Sequence, residues 1–303
     1  AADAAADAAA DAAAAAGEEV PSAYNASDIL SNRSKEVERL RVQIRLSFDK
    51  ELRQLRDYGL ADGAALLEIG CGPGWSTQRF AAALPRARIT CVEIDREFVG
   101  EARRLLAEHA PRIAVHHGSA LGTGLPDASF DFVTCRFVLQ HLRRPSLALA
   151  EALRVLKPGG RIGVIETDDM IGGVMDPLLP SLQPLNMRFS ARQAAKGGSR
   201  YIGRHLLRML RTAGFAERRL DAAVAASDEF EEGAKAFKAH FDIDRFEPLV
   251  HEGLATHAEV ELARAAMSAF LDDPSAMAMM VNVIALATKP EAPPSGASAP
   301  GDD

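Results

Sequence analysis

The sequence has little of several features that define particular protein classes. It contains three cysteines and one tryptophan in 303 residues, and aromatic residues make up 6% of the chain. Apolar runs stay well short of the roughly 20 residues that a transmembrane helix needs. Lysine and arginine form no dense patch, and the net charge is −7. We therefore expect no membrane span and no general binding to nucleic acids or anionic membranes.

The cysteines, Cys71, Cys91 and Cys135, all fall within apolar, strand-like runs. Their spacing does not match a CxxC metal site, so we interpret them as small core residues. An odd number of unbridged cysteines is typical of a reducing compartment, and we predict a cytoplasmic location. The histidines lack companions at ligand spacing, so no metal site is expected.

Both ends of the chain have a biased composition. Residues 1–22 are rich in alanine, with aspartate at positions 3, 7 and 11, and do not begin with the positive charges of a secretory signal. Residues 291–303 are rich in Pro, Gly and Ser. We predict that both segments are disordered tails, and a solvent-exposed helix is the alternative for the first.

Between these ends, apolar runs alternate with segments of helical period. Several runs are continuously apolar, as expected for strands covered by helices on both faces. This alternation predicts an α/β fold with a doubly wound, mostly parallel sheet. The predicted strands are Leu66–Gly70, Ile89–Ile94, Ile113–His117, Phe132–Phe137 and Ile162–Glu166, with helices over Ser76–Ala83, Glu97–His109 and Leu147–Leu156. The segment "LKPGGR" between the last helix and strand is predicted to be a helix stop followed by a turn.

After Asp169 the alternation gives way to a loop-rich segment, followed by a helix over Gly203–Ala213. Two further strand-like runs, Arg218–Ala225 and Met280–Thr288, are expected to complete a seven-stranded sheet. The predicted organisation is an N-terminal helical lid at 23–62, a core at 63–169, a loop, helix and edge strand at 170–227, a helical cap insertion at 228–277 and a last strand at 278–290.

A glycine-rich turn, "GCGPG", follows the first predicted strand. Such a turn lets a ligand contact bare backbone, and the next helix offers unpaired N–H groups. A dinucleotide site needs G-x-G-x-x-G, whereas Trp75 occupies the place of the third glycine and Pro73 removes a donor. The turn is therefore poorly equipped to bind phosphate, which favours a ligand that has a sugar and a zwitterion but no phosphate. An NAD-dependent oxidoreductase is the less favoured alternative.

Two later positions support a nucleoside-like ligand. Glu93 ends the second predicted strand, 23 positions after Gly70, where an acid can accept both ribose hydroxyls. The alternative is an acid at a helix N-terminus, since Asp95 is close by. Ser119 follows the third strand and could contact an adenine edge, although Gly-Ser after a strand is also typical of a simple turn.

These motifs together resemble the class I S-adenosylmethionine-dependent methyltransferases. "LLEIGCGPG" is similar to the first motif of that family, "VEID" to its ribose-binding acid, "FDFVTCRFVLQHL" to its fourth strand and the helix after it, and "LKPGGRIGVIE" to its entry into strand five. The resemblance covers residues 35–220, and the flanking segments are similar to a bacterial subgroup that acts on small molecules. Ser119 departs from the family pattern, because many members carry Asp there.

The resemblance implies a Rossmann-like methyltransferase fold, S-adenosylmethionine as cofactor, S-adenosylhomocysteine as product and no metal. It implies that Glu68 hydrogen-bonds near the methionine end, directly or through water. It also implies that Gln43, on the N-terminal helix, is a lid contact to that end, although a solvated helix glutamine is the alternative. Arg136 would offer its carbonyl group to the cofactor's amino group, and Ile94 would cover the adenine. The full set of implied cofactor-binding residues is Gln43, Glu68, Gly70, Cys71, Gly72, Glu93, Ile94, Ser119, Ala120 and Arg136.

Methyl transfer requires in-line placement and desolvation, and a base is needed only for an alcohol or a protonated amine. His141 is the first candidate for such a base, and the alternative is that it caps or packs in its helix. Glu166 and Asp168 end the fifth strand and are candidate substrate-binding residues, although they could instead anchor the loop. Tyr24 could close over the pocket, or it could be an exposed aromatic residue.

Phenylalanines and methionines between positions 230 and 280 predict an apolar acceptor, although these residues could instead form an ordinary helical core. They are Phe230, Phe237, Phe241, Phe246, Met267, Met277, Met279 and Met280. The predicted function is transfer of a methyl group to an O, N or C atom of a small, hydrophobic or aromatic molecule, in natural-product tailoring or quinone-like biosynthesis, by a monomer or homodimer. One alternative is a cofactor-binding protein that lacks methyl transfer or uses the cofactor structurally for another reaction, such as a rearrangement. A methyltransferase for RNA or protein is less favoured.

Overall fold

The computed structural model describes residues 33–291. Tyr24, the predicted closing residue, lies outside this range. The predicted tail at 1–22 and most of the predicted tail at 291–303 lie outside it as well.

The described residues form a single sheet of eight strands. The strands are β1 (Ala65–Ile69), β2 (Arg88–Glu93), β3 (Ile113–His117), β4 (Phe130–Arg136), β5 (Leu156–Glu166), β6 (Gly173–Asp176), β7 (Ala216–Ala226) and β8 (Met277–Thr288). The first five are parallel, in the order β3-β2-β1-β4-β5. The predicted doubly wound, mostly parallel sheet is confirmed, and its carboxyl ends meet at one edge.

β8 is antiparallel to β5 and separates it from β7, which pairs with the opposite edge of β8. β6 pairs with Met277–Met280, so it continues the edge of β8 that β5 occupies. The sheet therefore has one strand more than the seven that the sequence predicted. This strand was missed because it has four residues, none of them buried, and its pairing partner lies about a hundred positions away.

The segment "LKPGGR" also differs from its prediction as a helix stop and turn. It forms the first half of β5, where Leu156 pairs with Phe130 and Arg161 pairs with Phe132. A register shift between Phe130 and Phe132 accommodates the extra residues, as in a β-bulge.

The α-helices are α1 (Arg33–Asp57), α2 (Trp75–Ala83), α3 (Arg96–Leu105), α4 (Pro145–Val155), α5 (Leu182–Ala195), α6 (Leu206–Thr212), α7 (Glu247–His251) and α8 (His257–Asp272). Local sequence explains several helix starts. Asp95 caps α3 by accepting from the amides of Glu97 and Phe98, and Thr256 with Glu259 forms a capping box at α8. Short 3₁₀ segments cover Ala107–His109, Leu139–His141, Ile202–His205, Ser227–Glu229, Gly233–Phe237 and Ile243–Phe246.

Helices cover both faces of the sheet, so neighbouring residues of one strand enter different cores. Leu66 of β1 belongs to the cluster under α1, α2 and α3, whereas Leu67 belongs to the cluster under α4 and α6. Both side chains are fully buried. This arrangement explains why these strands read as continuous apolar runs.

The long first helix packs directly on the sheet. Gly163 of β5 permits this contact, because a Cβ atom there would lie 2.2 Å from the Cδ2 atom of Leu55. Phe48 and Phe80 join α1 to α2 in an edge-to-face contact with ring centroids 4.9 Å apart. The helix therefore lies against the strands whose carboxyl ends form the site described next.

A third core lies beside the end of β8, under the residues that follow β5 and β7. It includes Phe189 of α5, Leu249 of α7, Met267 of α8 and Met280 of β8. This cluster supports one wall of the cavity described below.

Candidate cofactor and acceptor site

The turn between β1 and α2 has a backbone that only glycine adopts readily. Gly70, Gly72 and Gly74 have φ angles of +73°, +54° and +92°. A Cβ atom on Gly70 would lie 2.3 Å from the Cγ2 atom of Val138, whereas one on Gly72 would meet nothing within 4 Å. The turn therefore leaves open space beside Gly72, as a ligand that contacts the backbone requires.

Glu93 lies beside this turn and is held by the backbone. Its Oε2 atom accepts from the amide of Gly72 at 2.8 Å, and its Oε1 atom accepts from the amide of Asp95 at 2.9 Å. Burial raises the pKa of Glu93, and these two hydrogen bonds act in the opposite direction. The carboxyl group is fixed in orientation before any ligand arrives.

A cavity of about 1040 Å³ extends from the glycine turn to the third core. The residues predicted to bind the cofactor converge on its wall, with one exception. Those on the wall are Gln43, Gly70, Cys71, Gly72, Glu93, Ile94, Ser119, Ala120 and Arg136. The candidate base His141 lies on the wall as well.

Glu68 is the exception, because it does not line the cavity. It is buried behind the turn, where it accepts hydrogen bonds from the hydroxyl groups of Ser76 and Thr77 at the start of α2. Burial raises its pKa to about 7. Glu68 therefore anchors the first turn of α2. The expected hydrogen bond near the methionine end, directly or through water, stays a prediction.

Glu166 and Asp168 are also behind the wall, and each supports a loop. The Oε1 atom of Glu166 accepts from the amide of Leu139 at 2.6 Å, and burial raises its pKa to about 8. Asp168 binds the guanidinium group of Arg204. These hydrogen bonds agree with the loop-anchoring alternative, and the neighbouring residues Thr167 and Asp169 are the ones that line the cavity.

The side chain of Arg136 makes contacts that the sequence did not predict. Its guanidinium group pairs with Glu51 of α1 at 2.7 and 3.1 Å, and the two side chains are 8% and 2% exposed. Ser47 and Asn282 donate to the same carboxyl group at 2.7 and 2.8 Å. This buried network joins α1 to β4 and β8 at the cavity wall.

His141 lies on the wall in a neutral form. Burial, and then the positive charges of Arg200 and Arg39, lower its pKa to about 3. A general base works best with a pKa close to the working pH. His141 is therefore better suited to hydrogen bonding or packing than to the predicted role of base.

The far end of the cavity is largely apolar, as the late aromatic residues and methionines predicted. Phe241, Phe246, Met267, Met279 and Met280 line it. Phe230 and Phe237 pack in the third core away from the wall, and Met277 is exposed. Periodicity alone could not separate the residues of the wall from those of the core.

Several polar residues at this end were not found from the sequence. Asp169 accepts from Arg200 at 2.7 and 2.8 Å and from the hydroxyl of Ser190 at 2.5 Å. Asp169 and Arg200 are 31 positions apart, in a segment where no motif marks either residue.

Within residues 33–291, no group of three or more His, Cys, Asp or Glu side chains could hold a metal ion. No helix in this described range is long and apolar enough to cross a membrane.

Comparisons with known proteins agree with this architecture. Residues 67–164 match the methyltransferase domain family. Over 131 residues the chain is 36% identical to the ubiquinone/menaquinone biosynthesis C-methyltransferase of Paracoccus denitrificans, and the aligned region covers 43% of this chain and 50% of that protein. Over 108 residues it is 35% identical to the ubiquinone biosynthesis O-methyltransferase of Aromatoleum aromaticum, covering 35% of this chain and 45% of that protein.

The chain spans about half the length of the curated relatives it matches. Among solved structures, it is similar to phosphoethanolamine N-methyltransferase 2 of Haemonchus contortus in complex with S-adenosyl-L-methionine, with a TM-score of 0.52. That match covers 80% of this chain and 53% of the other at 18% identity, so it concerns the fold alone. Residues 67–164, which match the methyltransferase domain family, include β2, β3 and β4, most of β1 and β5, and the glycine turn and Glu93 beside the cavity.

Proposed function

We propose that this protein transfers a methyl group from S-adenosylmethionine to an oxygen, nitrogen or carbon atom of a small, largely apolar molecule. The observation that supports this most directly is the continuity of the cavity. It runs from a backbone turn and a fixed carboxyl group to a wall of phenylalanines and methionines. A cofactor at the first end and an acceptor at the second would share one enclosure.

The residues at the first end fit the cofactor. The open space beside Gly72 would let the cofactor contact the backbone closely. The carboxyl group of Glu93, which is fixed in orientation, can accept hydrogen bonds from two ribose hydroxyls. Ile94, which is 40% exposed at the wall, offers an apolar surface for the adenine. The Nε1 atom of Trp75 and the Oε1 atom of Gln140 are buried at the wall without a hydrogen-bond partner among the described residues, so polar atoms remain for a ligand.

At the methionine end, Gln43 and the backbone of Arg136 would hold the amino-acid group. The bound cofactor supplies an electrophilic methyl group on a sulfonium. The chain contributes placement and exclusion of water, which are the main requirements of this reaction. Phe241 and Phe246 would exclude water on the acceptor side.

The state of His141 limits the choice of acceptor. Transfer of a proton from a hydroxyl of pKa about 10 to a group of pKa about 3 is uphill by roughly 10 kcal/mol. We therefore favour acceptors whose nucleophile is already neutral and unprotonated or readily ionised, such as an acidic phenol, an enol or a free amine. Quinone precursors and aromatic natural products belong to this class, and the named relatives act in quinone biosynthesis.

The same observation favours a second candidate function. Both histidines that line the cavity among the described residues, His141 and His240, have a lowered pKa. A cavity with a fitted cofactor end and such a wall also suits a protein that binds S-adenosylmethionine without transferring its methyl group. The two candidates differ in turnover, since only the first forms S-adenosylhomocysteine in the presence of an acceptor.

The first experiment is calorimetric titration with S-adenosylhomocysteine. We expect micromolar binding that Glu93→Ala weakens by about 1–3 kcal/mol, the value of a lost charge-assisted hydrogen bond. Glu97→Ala is the matched control, because Glu97 is an exposed glutamate on neighbouring α3 that does not line the cavity. Glu93→Gln keeps the side-chain volume and serves if the alanine variant unfolds.

Three outcomes separate the candidates. Absence of binding, or an equal loss in Glu97→Ala, contradicts the proposed cofactor site. Competition by NAD would support an oxidoreductase, although Trp75 and Pro73 depart from the dinucleotide-binding motif. Binding without S-adenosylhomocysteine formation, across a panel of acidic phenols, quinols and amines followed by mass spectrometry, would favour the second candidate.

A further inference from the structure

Three arginines converge at the acceptor end of the cavity, and two of them are neutralised. Arg39 of α1 donates twice to the buried carboxyl of Glu36, both at 2.8 Å. Arg200 donates twice to Asp169, at 2.7 and 2.8 Å. Each of these guanidinium groups therefore has its own carboxylate.

Arg245 is the third arginine, and among the described residues it has no carboxylate partner. Its one hydrogen bond goes from Nη2 to the amide oxygen of Asn186, at 3.3 Å. Its Nε atom is buried without a hydrogen-bond partner in the described residues. The guanidinium carbon lies 4.9 Å from the ring centre of Phe189 and 5.1 Å from that of Phe246.

The nearby acids are committed elsewhere. Asp244, next to Arg245 in sequence, pairs with Lys35 and with Arg264. Glu247 pairs with Arg264 as well, at 3.0 Å. Neither carboxylate neutralises Arg245, although both lie within two positions of it.

The charge on Arg245 persists despite this environment. Burial, and then the charge of Arg200, lower its pKa to about 9, so the guanidinium is still protonated at neutral pH. His240, also on the wall, has its pKa lowered well below the ordinary value by burial and by Arg39, and it therefore adds no second charge. Contacts with aromatic rings offset only a small part of the cost of a buried cation. An anion from outside the described residues would complete the site.

We propose that Arg245 binds a carboxylate of the acceptor, so that the substrates of this protein are aromatic or otherwise apolar molecules that carry an acid group. This inference rests on the proposed function, because it assigns the acceptor half of the same cavity. The apolar body would lie against Phe241, Met267 and Met280, and the carboxylate would lie against the guanidinium group. The carboxylate of the cofactor's methionine is the other source of the same chemistry, and the experiment separates the two.

The experiment uses calorimetric titration of the full chain saturated with S-adenosylhomocysteine. The probes are naphthoate and its neutral isostere naphthamide. The variants are Arg245→Met, Arg245→Lys and the control Arg188→Met. Arg188 pairs with Glu259 on the partly exposed side of α5 and does not line the cavity.

We expect the wild type to bind naphthoate and to discriminate against naphthamide. Arg245→Met should weaken naphthoate binding roughly 10- to 100-fold, as expected for a lost charge-assisted contact. Arg245→Lys should recover part of this loss because it keeps the charge, and Arg188→Met should have no effect. Affinity for S-adenosylhomocysteine should stay unchanged in all three variants.

Three results would overturn the proposal. The first is equal affinity of the wild type for naphthoate and naphthamide, a result that does not depend on whether any variant folds. The second is absence of naphthoate binding at millimolar concentration. The third is a loss of S-adenosylhomocysteine affinity in Arg245→Met with naphthoate binding unchanged, which would assign Arg245 to the cofactor's carboxylate. Failure of the proposed function is distinct, since it appears as absence of S-adenosylhomocysteine binding by the wild type.

Discussion

The buried pair of Glu51 and Arg136 offers the sharpest test of how the first helix is held on the sheet. Glu51→Gln keeps the volume of the side chain and removes its charge. The guanidinium of Arg136 then stays buried without a carboxylate, and one amide oxygen remains where two carboxylate oxygens accepted from Arg136, Ser47 and Asn282. Breaking a buried ion pair in this way costs about 3–5 kcal/mol.

This cost predicts a clear change in thermal stability. In a protein of this size each kcal/mol lowers Tm by about 2–4 °C, so Glu51→Gln should lower Tm by roughly 6–20 °C. Asp49→Asn is the matched control on the same helix. Its pair with Arg79 is exposed, with Asp49 76% accessible, and such pairs contribute about 0–1 kcal/mol.

The assay is thermal unfolding followed by circular dichroism, with urea unfolding as a second measure. Affinity for S-adenosylhomocysteine should fall as well, because Arg136 and Gln43 line the cavity next to this network. Adding Arg136→Met to Glu51→Gln should restore part of the stability, since no uncompensated charge remains. A Tm loss in Glu51→Gln no larger than that in Asp49→Asn would refute the reasoning.

Three further predictions concern other positions of the site. Gly70→Ala should lower stability by roughly 1–3 kcal/mol, more than Gly72→Ala, because only the first forces Val138 to move. Gly72→Ala should mainly weaken S-adenosylhomocysteine binding, and equal Tm losses in the two variants would contradict the difference. Glu166 has a folded-state pKa of about 8, above its ordinary value of 4.5, so it costs stability as pH rises from about 4.5 to about 8. The Tm of Glu166→Gln relative to the wild type should therefore rise from pH 5 to pH 8. A Tm difference that stays constant over this pH range would contradict the raised pKa of Glu166. The pKa of His141, about 3, predicts a methyl-transfer rate without a His141 titration between pH 5 and 8, and an inflection near pH 6.5 that His141→Gln abolishes would contradict this.

Local sequence was sufficient for the features that depend on the backbone. The glycine turn after β1 could be predicted because left-handed φ angles require glycine at Gly70 and Gly72. Glu93 could be predicted because the carboxyl ends of parallel strands meet at one edge of the sheet. The alternation of strands and helices follows from burial on both faces, which leaves a continuous apolar pattern.

The sequence could not predict which acids face the cavity. Glu68 and Glu166 are strand residues that turned out to be buried behind the wall, each engaged by hydrogen bonds from a neighbouring segment. A strand position gives the face on which a side chain lies, but the covering helix or loop decides whether that face is open. The same limit applies to Phe237 and Phe241, which have similar surroundings in sequence but lie in the core and at the wall respectively.

By itself, then, the sequence determined the alternation of parallel strands and helices, the glycine turn and the acid beside it, because each depends on local backbone preference or on burial of the strands on both faces. It did not determine β6 or the first half of β5, whose pairing is set by distant segments. Only the tertiary structure decided the charges of the site. Arg136 meets Glu51 across 85 positions, and Arg245 has no carboxylate partner within residues 33–291 although acids lie on both sides of it in sequence. The physical reason is that ion pairing depends on distance in space and on burial, and these are fixed only when segments distant in the chain pack together.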